Sequence, residues 1–326
     1  MPVYNAAPFL EESVGSVLAQ TFEEFELIII DDASTDQSLE VISSFKDDRI
    51  RLVRHAVNMQ LVATLNEGLE LSRGKYIARM DADDICRRDR LKYQYDYMEA
   101  NPRTAVVGAG ISLVGGKMPL GEQVSGPDFT KAALLFSCVI PHPTVMMRVD
   151  LIRLYGWKYS GDHLHCEDFA LWNEVVLKHD VDIMQKVLLE YRNHANQVSN
   201  KHNLVQRQGL HAIRMTNLDR LGVRLDSGEE SVFRELMNLE FEYNQDFLCK
   251  CENILLKISS GNDNTGYVPA YAMNAVLGRW WYNLVGSLMK RRVRIGRYAL
   301  RSPLSSNRFL DDRHRLKMRF KSLLLT

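Results

Sequence analysis

Apolar runs alternate with helix-like segments through the first hundred residues of the chain. Four apolar runs predict strands at residues 25–30, 50–53, 76–80 and 104–108, and the first is too densely apolar to lie half-exposed. Between them, apolar residues at three- and four-residue spacing predict helices: one from Pro8, one after Ser34, one marked by Leu61, Leu65 and Leu69, and one over residues 90–98. The succession predicts an α/β fold with a mostly parallel sheet flanked by helices.

Two of the predicted strands end abruptly in carboxylates. Residues 25–30 run into Asp31 and Asp32, and residues 76–80 run into Asp81-Ala82-Asp83-Asp84. If strand geometry persists, Asp81 and Asp83 face the same side, where their charges repel unless a cation lies between them. Open parallel sheets bind ligands outside the carboxyl ends of their strands, so one cleft for a large, polar, metal-bound ligand is predicted. A solvated Asp-rich loop is the alternative.

Two capping boxes are predicted from sequence spacing. Ser34 with Gln37 would start the helix after the second strand, and Ser227 with Glu230 would start a helix in the C-terminal region. Helix-like patterning after residue 205 predicts a helical extension.

Composition places few limits on function. The 326 residues are 46% hydrophobic and 25% charged, as in ordinary globular proteins. Five scattered cysteines indicate a reducing compartment rather than a disulfide framework. We find no signal peptide and no run of about 18 apolar residues, so we expect a cytoplasmic protein or one at the inner face of the cytoplasmic membrane.

The C-terminal residues carry an uneven charge. Residues 287–326 hold twelve Lys or Arg and two aspartates, a net charge of +10. The preceding segment from Tyr271 to Met289 is apolar and bears Trp280 and Trp281, and it leads into Lys290-Arg-Arg292. One interpretation is a peripheral membrane contact; the other is a core helix followed by a solvated basic tail. Nothing in the chain matches a nucleic-acid module, so no nucleic-acid partner is expected.

Seven motifs together resemble the family 2 glycosyltransferases over about residues 1–200. In chain order they are Met1-Pro-Val-Tyr-Asn5, Ser16-Val-Leu-Ala-Gln-Thr-Phe22, Asp31-Asp-Ala-Ser-Thr-Asp36, Gly74-Lys-Tyr-Ile-Ala-Arg-Met-Asp-Ala-Asp-Asp84, Pro141-His-Pro-Thr-Val-Met-Met-Arg148, Glu167-Asp-Phe-Ala-Leu-Trp172 and Tyr191-Arg-Asn-His194. The resemblance implies a GT-A fold and inverting transfer of a sugar from a nucleotide-diphosphate donor, with UDP expected as the nucleotide. The acceptor would be a hydroxyl of a glycan or lipid-linked molecule in surface polysaccharide biosynthesis.

The resemblance also implies roles for individual residues. Pro2 and Tyr4 would line the base pocket, and Asp32 would accept from the base. Asp81 would lie near the ribose and the metal, and Asp83 would ligate the cation. Mn²⁺ or Mg²⁺ suits such carboxylate ligands, and it would neutralise the departing diphosphate.

Asp168 matches the general base of the family. A carboxylate within about 3 Å of an attacking hydroxyl can take its proton. Asp168 also opens an apolar run with helical spacing, so the alternative is a helix-terminal carboxylate favoured by the helix dipole.

Several histidines invite other interpretations. His163-x-His165-Cys166 could be a metal cluster, although strand or loop residues beside the active site are favoured. His194 could be a late cation ligand, an acceptor contact or a structural residue. His142, between two prolines, is predicted on a rigid extended segment that shapes the acceptor side.

Two departures from the family pattern stand out. The apolar strand that usually precedes the first motif is absent, and we expect that the given sequence starts late rather than that this copy is impaired. Gln60 stands where many relatives have Gly or Arg, in a loop expected near the diphosphate.

We therefore expect a glycosyltransferase domain over residues 1–204, with a nucleotide-binding half at 1–105 and an acceptor half at 106–204. Residues 205–326 would form the helical C-terminal region with its basic tail. A nucleotidyltransferase on a similar fold and a degenerate sugar-nucleotide binding protein are the alternatives.

Overall fold

A computed structural model describes residues 1–116, 125–194, 203–240, 244–291, 293 and 295–323. The chain divides into two compact units: residues 1–130 with 138–209, and residues 131–137 with 210–326. The candidate site residues all lie in the first unit. Residues 292, 294 and 324–326 of the predicted basic tail lie outside the described residues.

The first unit begins with a parallel three-stranded sheet. Its strands are β1 (Pro2–Val3), β2 (Leu27–Asp31) and β3 (Ile50–Arg54), in that spatial order. The register places Val3 opposite Asp31, so the carboxyl ends of β1 and β2 lie side by side. This sheet matches the parallel arrangement that the βαβ pattern predicts.

A second sheet of five strands is mixed. Its strands are β4 (Tyr76–Ala78), β5 (Ile85–Cys86), β6 (Thr104–Leu113), β7 (Met146–Arg148) and β8 (Asp180–Tyr191), in the spatial order β4-β7-β6-β8-β5. Only the pair of β6 and β8 is parallel, and β7 runs antiparallel to both β4 and β6. The mostly parallel sheet expected from sequence is therefore limited to the first three strands, while the α/β class is confirmed.

In residues 1–116 and 125–194, seven α-helices accompany these strands. They are α1 (Ala7–Leu18), α2 (Ser38–Ser44), α3 (Gln60–Leu71), α4 (Arg90–Ala100), α5 (Pro127–Ala133), α6 (Val149–Tyr155) and α7 (Glu167–Val175). Pro8 lies in the first turn of α1, as predicted. The core beside β1 and β2 is built from buried aliphatic residues, among them Leu10, Val14 and Ile29.

The predicted cap of α2 is wrong. The helix begins at Ser38, and the carboxylate of Asp36 accepts from the Ser38 amide at 2.9 Å and from its hydroxyl at 2.5 Å. Ser34 instead accepts from the amide of Asn5 at 3.0 Å. The loop after β2 is thus shaped by contacts from the end of β1, which sequence spacing does not reveal.

The C-terminal residues are helical, as predicted. The helices are α8 (Asn203–Arg220), α9 (Ser227–Asn238), α10 (Gln245–Thr265), α11 (Ala270–Lys290), α12 (Gly296–Arg301) and α13 (Asp312–Leu323). The capping box of α9 is formed by Asp226 and Glu229 rather than by Ser227 and Glu230, because the helix starts one residue earlier than the spacing suggests.

The tryptophan-bearing segment forms α11. Its buried residues include Leu277, Trp281, Val285 and Leu288, and the indole Nε1 of Trp281 donates to Ser305 Oγ at 2.9 Å. These contacts favour the core-helix interpretation of this segment. In the part of the chain that the structure describes, no helix has the length and apolar character needed to cross a bilayer.

Candidate active site

Three carboxylates converge just after β4. One ligand atom from each of Asp81, Asp83 and Asp84 lies within 4.8 Å of the others, so together they could hold a metal ion. The sequence-based prediction assumed that strand geometry persists through this run, but it does not. The strand β4 ends at Ala78, and a turn at Ala82 and Asp83 brings the side chains together. The predicted convergence is present, but a turn produces it.

Asp81 is paired with a buried arginine. Arg79 Nη1 donates to Asp81 Oδ2 at 2.7 Å, and Nη2 lies 2.5 Å from Oδ1. The Arg79 side chain is 7% exposed and that of Asp81 is 30% exposed. Burial raises the pKa of Asp81, while the Arg79 guanidinium opposes the rise. The pair holds Asp81 in one orientation and balances part of the local negative charge.

Asp84 is the most buried carboxylate of the group. Its Oδ1 accepts from the Arg192 amide at 3.0 Å, and its Oδ2 has no partner among the described residues. Burial and the nearby Asp81 raise the pKa of Asp84 to about 8. An orphaned buried carboxylate oxygen beside two more carboxylates fits a hard divalent cation, which prefers oxygen ligands. Asp84, unassigned from sequence, thus belongs to the cluster.

Arg192 and His194, which follow β8, both contact Asp83. His194 Nε2 lies 2.9 Å from Asp83 Oδ2, and Arg192 Nε donates to the Asp83 carbonyl at 2.8 Å. The His194 ring stacks on Phe9 of α1 with a centroid distance of 4.8 Å. Of the roles left open for His194, the structure places it as a partner of the carboxylate predicted to ligate the cation.

The predicted base pocket lies at the carboxyl ends of β1 and β2. Pro2 is in β1, and Tyr4 follows it with 53% of its surface exposed. The Asp32 amide donates to the Val3 carbonyl at 2.8 Å, which brings Asp32 next to this segment. The structure therefore brings Pro2, Tyr4 and Asp32 together, with the Tyr4 ring available for stacking.

The carboxylate of Asp32 is hydrogen-bonded by residues that follow β3 in the chain. Its Oδ1 accepts from the Met59 amide at 2.7 Å and lies 2.6 Å from His55 Nδ1, and its Oδ2 accepts from the Gln60 amide at 3.0 Å. Gln60 has a left-handed backbone with φ 71°, and its amide donates to both Asp32 Oδ2 and Asn58 Oδ1 at 3.0 Å. The conformation is one that glycine adopts without strain.

Asp168 lies in the first turn of α7. Its Oδ1 accepts from the Phe169 amide at 2.7 Å, and the Cys138 thiol donates to Oδ2 at 3.4 Å. Burial raises the pKa of Asp168, and these hydrogen bonds and the Arg79 charge oppose the rise. A carboxylate whose pKa lies above its usual value is a stronger base once ionised.

Arg79 is the functional residue that sequence reasoning missed. Its charge opposes the rise that burial causes in the pKa values of Asp81 and Asp168. It also acts to lower the pKa values of His142 and Tyr159. The charge of Arg79 thus acts both on the carboxylate cluster, which it contacts, and on the predicted base. An arginine inside an apolar strand, two residues before the carboxylate run, was the available signal.

The prediction of an extended segment at His142 is wrong. Residues His142–Thr144 form a 3-10 turn, in which Thr144 Oγ1 donates to the Pro141 carbonyl at 2.7 Å. The His142 Nε2 lies 2.9 Å from the hydroxyl of Tyr159. Burial lowers the pKa of His142 well below its usual value, with Arg79 adding to the effect, so the ring is neutral.

The His163, His165 and Cys166 sequence does not form a metal cluster in the described residues. His163 ends a 3-10 turn, Cys166 is buried, and only the Asp81, Asp83 and Asp84 group has converging ligand atoms in the described chain. This agrees with the interpretation of these residues as part of a loop before α7.

A cavity of about 440 Å³ lies between β2 and β4, and Pro2 and Arg79 are among its lining residues. Its lining includes Leu27, Ile28, Tyr76 and Ile77 and is mainly apolar, and the carboxylates of the cluster are not among the lining residues. We therefore take the carboxylate cluster and Asp168, rather than this mainly apolar cavity, as the centre of the candidate site.

Comparison with known proteins identifies the family. The model of Glycosyl transferase family 2 matches residues 1–136. An uncharacterized glycosyltransferase of Haemophilus influenzae is 31% identical over 228 residues, which cover 66% of this chain and 71% of that protein. The chain belongs to glycosyltransferase family 2. The family resemblance deduced from the seven motifs is confirmed.

Another relative has a more specific name. WfgD of Escherichia coli, a UDP-Glc:alpha-D-GlcNAc-diphosphoundecaprenol beta-1,3-glucosyltransferase, is 28% identical to this glycosyltransferase over 211 residues. The match covers 64% of this chain and 81% of WfgD.

Solved structures share the fold of this glycosyltransferase. TarS 1-349 of S. aureus, in complex with UDP-GlcNAc, has a TM-score of 0.56 at 14% identity, covering 99% of this chain and 90% of that one. The mannosyltransferase PcManGT of Pyrobaculum calidifontis, in complex with GDP-Man and Mn²⁺, has a TM-score of 0.53 at 14% identity, covering 99% and 84%. These likenesses show the GT-A fold, as predicted.

Proposed function

We propose that this enzyme is an inverting glycosyltransferase that moves a sugar from a UDP-sugar to a hydroxyl of a glycan or lipid-linked acceptor. The observation that carries the proposal is the position of Arg79, which pairs with Asp81 and whose charge also acts on Asp168. Arg79 thus links the predicted donor and metal side to the predicted base in one unit of the fold. Family membership favours sugar transfer over nucleotidyl transfer.

Uracil as the donor base is supported by the hydrogen bonds of Asp32. An ionised carboxylate offers about four lone-pair positions, and protein donors from His55, Met59 and Gln60 face three of them. One position remains for an N–H of the base. Uracil presents one imide N–H, whereas the hydrogen-bonding edge of guanine presents two donors. The UDP in the name of WfgD agrees with this choice.

The divalent cation would be held by Asp83 and Asp81, with Asp84 alongside. The fit is supported by the unpartnered Asp84 Oδ2 and by the convergence of the three side chains. When bound, Mn²⁺ or Mg²⁺ would neutralise charge on the departing diphosphate. His194, at 2.9 Å from Asp83, would orient that carboxylate. The Mn²⁺ bound to PcManGT makes this ion a reasonable first probe.

Asp168 would act as the general base. The acceptor hydroxyl loses its proton to a carboxylate oxygen of Asp168 while its own oxygen forms a bond to the anomeric carbon. The bond from that carbon to the nucleoside diphosphate breaks on the opposite face, and the leaving group keeps the electron pair. The Phe169 amide and the Cys138 thiol hold the carboxylate in place for this transfer.

A role in surface polysaccharide biosynthesis at the cytoplasmic membrane face is supported by WfgD, whose name gives a lipid-linked sugar as its acceptor. The basic residues after Ser287 would contribute through attraction to anionic lipid headgroups. Binding to vesicles with and without anionic lipid tests this contact. Charge-reversal of Arg313 and Lys317, both described on α13, should weaken binding to anionic vesicles only.

Asp168→Asn is the direct test of the enzymatic proposal. UDP-sugars are screened for binding with and without Mn²⁺, and transfer or slow hydrolysis of the bound donor is then measured. The variant should keep donor affinity and lose turnover by about a hundredfold or more, which is the lower range for a general base. Asp162→Asn, an exposed residue just before α7, is the matched control. A wild-type protein that binds donors but turns over none would instead be a binding module.

A further inference from the structure

His55 bridges two carboxylates. Its Nδ1 lies 2.6 Å from Asp32 Oδ1, and its Nε2 lies 2.5 Å from Glu67 Oε2 of α3. We infer that His55 is a positioning residue for the base-reading carboxylate, and that nucleotide affinity falls when His55 loses its second proton. The inference rests on the proposed function, in which Asp32 accepts from the donor base.

The hydrogen bonds require a doubly protonated ring. An ionised carboxylate can only accept hydrogen bonds, so each ring nitrogen of His55 must carry a hydrogen to bond both partners. The ring is therefore an imidazolium. Its side chain is 12% exposed and that of Asp32 is 6% exposed, so solvent screens the pair only weakly.

The charged groups facing His55 favour the protonated form. The hydrogen bonds that His55 donates to Asp32 and, to a smaller extent, to Glu67 raise its pKa above the usual value, against the effect of burial. The neighbouring Asp31 carboxylate turns to the Ser34 amide at 3.2 Å. The Asp31 carbonyl accepts from the His55 amide at 2.9 Å and fixes the backbone beneath the ring.

The pH dependence follows from this direction. Below the raised pKa the imidazolium holds both carboxylates, and Asp32 is oriented by its His55, Met59 and Gln60 donors. As pH rises through that pKa, one ring N–H is lost and one carboxylate loses its partner. Whichever N–H is lost, Asp32 no longer faces a positive charge, and its hydrogen bond to the ring is weakened or lost, which loosens its orientation toward the base.

The test measures UDP affinity by calorimetry between about pH 6 and 8.5, where the imide N–H of uracil stays protonated, at a fixed Mg²⁺ concentration. Glu67→Gln removes one of the two charges that favour the imidazolium, so the pH at which affinity falls should move down. At the acidic end Glu67→Gln should lose less affinity than His55→Gln, because the charged ring still faces Asp32. His55→Gln should bind UDP about tenfold more weakly at the acidic end and show no fall over this range. Glu70→Gln, an exposed residue on the same helix, should match wild type.

NMR of the free protein, with histidines labelled at Cε1, reports the titration of His55 directly and checks that each variant is folded. If UDP binds but Glu67→Gln does not change the pH dependence of that binding, the positioning role of His55 is overturned. The proposed function then remains intact. A folded wild type that binds neither UDP nor UDP-sugars, although His55 titrates as described, overturns the proposed function and this inference with it.

Discussion

Both terminal nitrogens of Arg79 contact the carboxylate of Asp81: Nη1 lies 2.7 Å from Oδ2 and Nη2 lies 2.5 Å from Oδ1. The geometry is a bidentate pair on the loop that carries the metal-ligand candidates. Because a planar guanidinium fixes both oxygens at once, a lysine could not reproduce the arrangement. The pair thus sets how Asp81 faces the cleft.

Removing the Arg79 charge should therefore harm both stability and activity. Arg79→Met leaves Asp81 beside Asp83 and Asp84 without its partner, at an expected cost of about 2 kcal/mol in the free energy of unfolding. Transfer should fall by more than tenfold. Urea unfolding and initial-rate assays measure the two effects. Arg87→Met removes a half-exposed partner of Glu190 and should cost less than about 1 kcal/mol; equal losses in both variants would refute the special role of Arg79.

Activity should fall on the acidic side at a higher pH than an ordinary aspartate would give. A general base works only when ionised, and burial raises the pKa of Asp168. As pH falls through this raised value, Asp168 is protonated and kcat/KM declines. The Cys138 thiol opposes the rise by donating to the carboxylate, so Cys138→Ala should move the acidic limb to still higher pH.

The check is a pH profile of kcat/KM for wild type, Cys138→Ala and Cys249→Ala, the last altering a cysteine of the second unit. An acidic limb that stays in place in Cys138→Ala would show that another group controls it. The same profile with a saturating donor separates Asp168 from groups that act in donor binding.

Tyr4 should contribute to donor binding through its ring alone. Its side chain is about half exposed, so substitution should leave the free energy of unfolding within about 0.5 kcal/mol of wild type. Stacking of a base on an aromatic ring contributes about 1–3 kcal/mol, so Tyr4→Ala should weaken UDP binding by roughly tenfold or more. Tyr4→Phe keeps the ring and should bind nearly as wild type. A matching loss in Tyr4→Phe would indicate that the hydroxyl, rather than stacking, makes the contact.

The carboxylate cluster was predictable because its signal is local. An apolar run that ends in Asp81-Ala82-Asp83-Asp84 reveals both the strand and the site at its end. The family motifs then assign roles to Asp32 and Asp168, which stay predictions until tested. The turn that brings Asp81 and Asp83 together was missed, since alternation within a strand predicted the same convergence by another route.

The partners of these carboxylates were not predictable from spacing. His55 reaches Asp32 across 23 residues, and His194 reaches Asp83 across 111 residues. Such contacts depend on which strands are neighbours. The antiparallel pairing of β4 with β7 was missed for a related reason, because Met146–Arg148 is only three residues long and gives no periodic signal.

Two glycines of α11 provide a test of packing in the C-terminal unit. A Cβ added at Gly278 would lie 1.9 Å from the Phe309 carbonyl oxygen, so the backbone of residues 309–310 would have to move. A Cβ at Gly286 would meet nothing within 4 Å. Because alanine favours a helix over glycine by about 1 kcal/mol, Gly286→Ala should stabilise the unit by up to that amount.

Gly278→Ala should instead destabilise the unit, by about 1–3 kcal/mol or more, since overpacking against backbone cannot be relieved by rotating a side chain. Thermal unfolding of the two variants compares their stabilities. Both carry the same Gly→Ala change, and both changes are in α11. The opposite signs are the diagnostic result. Stabilisation by both substitutions would mean that Phe309 does not pack on α11, and the assignment of this helix to the core of the unit would lose its main support.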